Sequence, residues 1–358
     1  MIPDRLRFAA AVLALHSAAL CWAQTPAASA DAPPTPATAA APAHFVLLLP
    51  LDSPDFRAAA DAVRQGFLAA AARSPAKPRI AVRATDASTE SIVAAYAAAT
   101  EAGAKVVVGP MTRSGVAALA ASGKVSVPTL ALNQPEGNAA LAPPLYAFGL
   151  AIEGETRHVA RLAWRDGPRN VVVVSAPGAL GKRIRDAFVD EWLALGGVIT
   201  DVLEVLPGAD PTAIRAGVGR KPADAIFLAA EGETARNLRL QIGGQLPAYA
   251  TSQINTAPAD RLRNFDLAGV RFVDMPWIVQ PEHPSAAGFA RPAGLEGDAA
   301  RFYALGIDAY RIAAALLDGE RAFEVQGVTG HIAVSARGAI DRRPLAATFR
   351  DGRCVALE

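Results

Sequence analysis

From position 44 onward the chain alternates short, unbroken apolar runs with longer amphipathic ones. The run "HFVLLLPL" has no polar face to expose, as suits a strand buried on both sides of a parallel sheet. The segment after it, "DFRAAADAVRQGFLAAAAR", places Phe56, Ala60, Val63, Phe67 and Ala71 at helical spacing. The alternation continues through strand "RIAVRATD", a helix over 88–102, strand "KVVVGP", a helix over 114–122 and strand "VPTLALN". A second series follows: a helix over 153–165, strand "NVVVVSAP", a helix over 181–195, strand "VITDVLEVL", a short helix over 210–216, strand "AIFLAA", a helix over 234–242 and strand "PAYATSQI". Two such series predict an α/β fold of two Rossmann-like lobes, each with a parallel sheet, and a cleft between them. Lobe 1 is expected over 44–150 and lobe 2 over 151–284.

The remaining stretch, 285–358, breaks the alternation. The segment "GDAARFYALGIDAYRIAAALLDG" predicts a long helix burying Phe302, Leu305, Ile307, Tyr310, Ile312 and Leu316. After it, "TGHIAVSARGAIDRRPLAATF" predicts a hairpin finishing at a sheet edge. This tail is expected to return to lobe 1.

The first 43 residues follow a different rule. Arg5 and Arg7 precede an apolar core from Phe8 to Leu20 that is too short to span a bilayer, which is the build of a secretory signal over 1–23. A lipid-modified cysteine wants a small residue before it, and Leu20 precedes Cys21. Cys21 and Ala23 instead fit small-x-small cleavage, so the expected product is a periplasmic chain beginning at Gln24, in preference to one with a lipid anchor at Cys21. The segment 24–43, rich in Ala, Pro and Thr, predicts a disordered, solvated leader. Cleavage there leaves Cys354 as a single thiol unable to form an internal disulfide.

Charge and motifs narrow the chemistry. With 35 basic against 34 acidic side chains there is no electrostatic footprint for nucleic acid. The one dense cluster, Asp341-Arg342-Arg343, reads as a solvated face beside a turn. The sequence "GALGKR" at 178–183 lacks the leading glycine and the hydroxyl of a phosphate loop, and "GVGRKP" at 217–222 lacks the third glycine of a dinucleotide fingerprint. Neither Ser114 nor Ser252 has the glycine two residues ahead that a nucleophile elbow needs. His44, His158, His283 and His331 lie far apart with no partner at metal-ligand spacing, and Cys354 reads as a buried, inert thiol. The chain is therefore expected to be no enzyme and to hold no cofactor or metal.

Three polar loops end strands. Thr112 and Ser114 begin a helix whose free N–H groups could seat a carboxylate or carbonyl. Asn133 and Gln134 follow the next strand, and Ser252 with Gln253 occupies the matching place in lobe 2. Glu231, after "AIFLAA", could serve as an acidic partner for an ammonium. Such residues also cap helices and close turns, and at this point both readings stand.

The succession "VVVGPM", "VPTLALN", "LYAFGL", "DAIFLAA", "LPAYATSQI", "GVRFVDMPW", "RFYALGIDAYRIAA" and "GVTGHIAVSARGAIDR" resembles the carboxyl-terminal domain of the penicillin-binding-protein activator family, the LppC-like lipoproteins. The resemblance spans roughly 44–357. It implies the type I periplasmic-binding-protein fold and a non-catalytic partner that docks on a class A penicillin-binding protein and raises its activity. Familiar members carry a helical-repeat domain and a lipidated cysteine ahead of this region, where this sequence offers only the leader and Leu20-Cys21. The competing reading is a receptor that takes an amino acid or similar small molecule to an importer.

Overall fold

A computed structural model describes residues 43–137, 141–256 and 260–357. The signal at 1–23, Cys21 and the leader up to residue 42 lie outside the described residues.

In lobe 1, strands β1 (Phe45–Leu49), β2 (Ile80–Ala84), β3 (Val106–Val108), β4 (Thr129–Ala131) and β5 (Leu145–Ala147) alternate with helices α1 (Arg57–Ala72), α2 (Thr89–Glu101) and α3 (Arg113–Ala121). Every residue of β1 is buried, as its unbroken apolar run requires. Ser88 and Thr112 start α2 and α3 by accepting the free N–H groups of Ser91 and Gly115. The strands form an all-parallel sheet in the order β2-β1-β3-β4-β5.

Lobe 2 follows with α4 (Ile152–Asp166), β6 (Asn170–Ser175), α5 (Ala179–Ala194), β7 (Val198–Glu204), α6 (Pro211–Val218), β8 (Ala225–Ala229), α7 (Gly232–Ile242), β9 (Ala248–Ala250), α8 (Arg261–Asn264) and β10 (Arg271–Asp274). Its parallel strands run β7-β6-β8-β9-β10, the winding of lobe 1 repeated strand for strand. In both lobes the strand order reverses beside the first strand, so each sheet has a switch point there.

The tail comprises α9 (Pro276–Val279), α10 (Gly297–Leu317), β11 (Phe323–Gln326), β12 (His331–Val334), β13 (Ile340–Arg343), β14 (Leu345–Arg350) and β15 (Arg353–Ala356). Here the structure divides what the sequence pattern keeps together. Helix α10 and the antiparallel sheet β11-β12-β13 pack on lobe 1, where Tyr303, Ile307, Tyr310, Val328 and Ile332 share a core with Phe45 and Phe67. Strands β14 and β15 cross to lobe 2 instead. There β14 pairs antiparallel with β10 and β15 forms the new edge. The reason is the open hydrogen-bonding side of β10, which an apolar strand such as "LAATF" covers. The chain therefore passes between lobes at 148–151, at 275 and at Pro344.

Smaller differences have local causes. Phe56 is 41% exposed because it ends the turn before α1 rather than joining its buried stripe. The strand read from "PAYATSQI" stops at Ala250, and Ser252–Ile254 turns into a 3-10 helix.

Helices α1 and α10 cross closely enough to need glycine on both. A Cβ at Gly66 would overlap the carbonyl oxygen of Tyr303, and one at Gly306 would overlap that of Val63. Gly66→Ala and Gly306→Ala are each expected to destabilise the protein by about 3 kcal/mol, as forced overpacking does. Urea denaturation checks this, with Gly154→Ala as the reference because a Cβ there meets open space.

Candidate functional site

The polar loops of lobe 1 are largely bonded to one another. Thr112 is buried and accepts from Gly115 N at 3.2 Å. Asn133 donates through Nδ2 to Met111 O at 3.1 Å and accepts from Gln134 N at 2.9 Å. Arg113 adds a bond to Pro135 O at 3.4 Å. Thr112 and Asn133 thus spend their side chains on capping and loop closure, while Ser114 is half-buried in the first turn of α3.

Facing them across the lobe boundary is a buried set of charges. Glu155 sits on the apolar stripe of α4, between Ile152 and Val159, and accepts from Ser252 N at 2.6 Å and Ser252 Oγ at 3.1 Å. Asp274, where β10 ends, accepts from Arg301 Nη2 at 2.7 Å and Nε at 3.2 Å, from Asn255 Nδ2 at 3.1 Å and from Met275 N at 2.8 Å. Arg301 lies on α10, which packs on lobe 1, and its Nη2 also reaches Ser252 O at 3.3 Å and Asn255 O at 3.2 Å. Arg342 comes from β13, donates to Thr329 O at 3.1 Å and faces Glu155 from the other side. Lobe 2 supplies the carboxylates; elements packed on lobe 1 supply the guanidiniums.

The electrostatics follow from burial. Burial raises the Glu155 carboxyl above the ordinary carboxylate range, the neighbouring Asp274 adds to this, and Arg342 opposes it. Burial also disfavours the charge on Arg301, but the Asp274 contact outweighs it, so its proton is held more tightly than usual. Arg342 is lowered by burial against the pull of Glu155 and Asp274. At the rim, Glu153 joins the lobes from α4, 3.5 Å from Arg113 of lobe 1 and 2.8 Å from Arg183 on α5. Its burial is more than offset by Arg183, leaving its carboxyl below the usual range.

Asp341-Arg342-Arg343 departs from the solvated face read in the sequence. Asp341 and Arg343 are exposed and paired at 2.9 Å, but alternation along β13 turns Arg342 inward to the charge cluster. Cys354 lies partly buried in edge strand β15, where burial, aided by Asp274, pushes its thiol up to about 12.

The residues selected from sequence are distributed among separate places. Ser252 and Gln253 line a cavity of about 130 Å³ with Asp274, Arg301 and Arg342. Gln134 lines a second, of about 270 Å³, which shares Glu155 and Arg342 with the first. Glu231 borders a third, about 470 Å³, formed wholly within lobe 2 between α5 and α7. Glu155, Asp274, Arg301 and Arg342 escape a motif search. Glu155 and Arg301 carry one signal, a charge on the apolar stripe of a helix, whereas Arg342 sits among charged neighbours in β13 and carries none.

Comparison with known proteins gives these positions a setting. A sequence profile described as "LppC putative lipoprotein" matches residues 37–204 and 205–352. The penicillin-binding protein activator LpoA of Haemophilus influenzae is 27% identical over 317 residues, covering 86% of this chain and 54% of its own. The protein of the same name from Edwardsiella ictaluri is 28% identical, covering 92% of this chain and 55% of its own. The chain thus spans about half the length of the curated relatives it matches. Among solved structures, the C-domain of Haemophilus influenzae LpoA, described as a regulator of PBP1A, matches with TM-score 0.73 and 26% identity over 88% of this chain and 99% of that one. A structure from Chromobacterium violaceum, described as a putative branched-chain amino acid ABC transporter, matches with TM-score 0.72 and 36% identity over 85% of this chain and 99% of that one. The two-lobed architecture is the type I periplasmic-binding-protein-like fold.

Two outcomes follow from the charge cluster. Arg301→Ala leaves Asp274 buried without its cation and is expected to cost about 3–5 kcal/mol, measured by urea denaturation. Glu155 has a folded pKa above its unfolded value of about 4.3, so its contribution is fully present below that value and is lost as pH rises through the folded pKa. Glu155→Gln should therefore melt above the unsubstituted protein at about pH 8, and the gap should narrow as pH falls toward about 4. A gap independent of pH would contradict the assignment.

Proposed function

The chain belongs to the LppC lipoprotein family, and from that premise we propose that it is a non-catalytic activator of a class A penicillin-binding protein, acting on this bifunctional peptidoglycan synthase by surface contact. The observation behind the reading is that the cleft is filled by the protein's own ion pairs. Arg301 and Asp274 occupy its centre, and the cavities bordering it, about 130 and 270 Å³, fall below the roughly 300 Å³ at which small-molecule sites usually begin. Thr112 caps α3 by accepting from Gly115 N and Asn133 donates to Met111 O, so both side chains serve capping and loop closure. What two lobes joined in this way offer is surface, and a standard contact needs about 800 Å² from each partner. The relatives named as penicillin-binding protein activators support the same reading.

Such a partner works outside the cytoplasm, so the reading includes export by a cleaved signal, with the periplasm as destination and no lipid required at Cys21. No helix among the described residues is long and apolar enough to cross a membrane.

A second reading has one observation on its side, the 36% identity to a structure described as an amino-acid ABC transporter. As an importer's receptor, the protein would show a saturable rise in melting temperature with leucine, isoleucine or valine.

The test of activation is direct. Mixed with the class A penicillin-binding proteins of its own organism, the protein is expected to bind at least one and to raise glycan polymerisation or crosslinking. With a net charge of +1, the contact should weaken only modestly with added salt. Failure to bind or accelerate any such synthase would overturn the proposal.

A further inference from the structure

The cavity beside the charge cluster is more than a packing gap. Its walls come from the loop after β4, the crossing after β5, one face of α4 and strand β13. Along α4 the positions facing it, Gly154, Arg157, His158 and Arg161, recur at three- and four-residue intervals, so one helical stripe forms a wall. Gly154 gives the wall its recess, since a Cβ there would meet no atom within 4 Å. Gln134 and Arg342 stand among the other lining residues.

The charge around this space is unbalanced. Three arginines, Arg157, Arg161 and Arg342, face two carboxylates, Glu155 and Asp341. Both carboxylates are engaged: Glu155 accepts two bonds from Ser252, and Asp341 pairs with Arg343 at 2.9 Å and lies 3.7 Å from His158. Arg161 is held by Glu191 at 2.8 Å. Arg157 has no hydrogen bond or ion pair to any described residue. Arg342 donates one hydrogen bond, from Nη1 to Thr329 O, and its other guanidinium N–H groups have no acceptor among the described residues. Other carboxylates in its field, Asp274 and Asp308, are bonded to Arg301 and Arg311. Two guanidiniums with unspent donors, a histidine and a side-chain amide thus border one recess.

The geometry points to a binding site for a small oxyanion, a carboxylate or phosphate, held by Arg157 and Arg342 with Gln134 as a neutral partner. Guanidinium donors match the paired oxygens of such groups, and a cavity of about 270 Å³ suits a ligand smaller than drug-sized ones. Because Gln134 belongs to lobe 1 and Arg157 to lobe 2, an occupant touches both. This site does not depend on whether the protein activates a synthase.

The test is calorimetric titration of the full chain with inorganic phosphate, succinate and D-glutamate, each alone. At least one should bind saturably, phosphate alone marking a phosphate site and either of the others a carboxylate site. Arg157→Ala removes a charge-assisted bond and Gly154→Leu fills the recess without backbone strain; each should weaken that binding roughly tenfold. Lys124→Ala, at an exposed position outside the cavity, should leave it unchanged. Arg157 is itself exposed, so its variant keeps the test valid should Gly154→Leu fail to fold. No binding by any of the three below about 10 mM, or wild-type affinity in a folded variant at either position, overturns the site.

Discussion

Arg301 between the lobes is the interaction on which the arrangement depends. Its guanidinium contacts Asp274, Asp298, Ser252 O and Asn255 O, so one side chain rooted in α10 gathers the end of β10 and the turn after β9. A lysine could not do this, because a compact ammonium lacks the planar fork that serves several acceptors in fixed directions. Helix α10 is in turn fixed to lobe 1 by its close crossing with α1 and by the aromatic set Phe45, Phe67 and Tyr310, whose rings meet edge to face at 5.2–5.8 Å. The apolar core of lobe 1 therefore sets the position of a charge that belongs functionally to lobe 2.

The sequence makes the lobes legible because their strands and helices are local events. Periodicity separates "FVLLL" from the helix after it without reference to anything distant. Legibility ends where a residue's environment comes from another part of the chain. Glu155 is an unremarkable helix-start glutamate until Ser252, 97 positions on, donates two hydrogen bonds to it. Arg342 looks solvated among charged neighbours, and only the alternation of β13 against α4 turns it inward. The same limit explains β14: nothing within "PLAATF" says whether it closes a hairpin or covers the open side of β10, since both need only an apolar strand. Asn133 reads as polar and strand-ending, yet its amide donates to Met111 O, 22 positions back along the chain.

The repeated strand order shows why the boundary became the place for these charges. Two sheets wound alike put their strand ends and helix starts toward a shared edge, where polar backbone groups collect. In a solute receptor those groups wait for a ligand. Here the protein's own side chains satisfy them: Arg301 of the tail donates to the carbonyls of Ser252 and Asn255, and Glu155 of α4 accepts from Ser252 N.

A cluster at a boundary obeys different energetics from one inside a core. Parting the lobes would return Arg301 and Asp274 to water, so opening regains hydration that a core pair never recovers, and the net attraction of the pair lies near break-even. The cluster consequently contributes less to holding the lobes together than its number of bonds suggests, and more to fixing their register. Asp274 receives both guanidinium bonds only with α10 in this place against β10. The raised affinity of Glu155 for its proton comes from burial and from the neighbouring Asp274, and the Ser252 hydrogen bond, which favours the carboxylate, only partly offsets them. A surface presented to another protein needs such fixed register across both lobes, because an interface spanning a loose boundary would first have to order it.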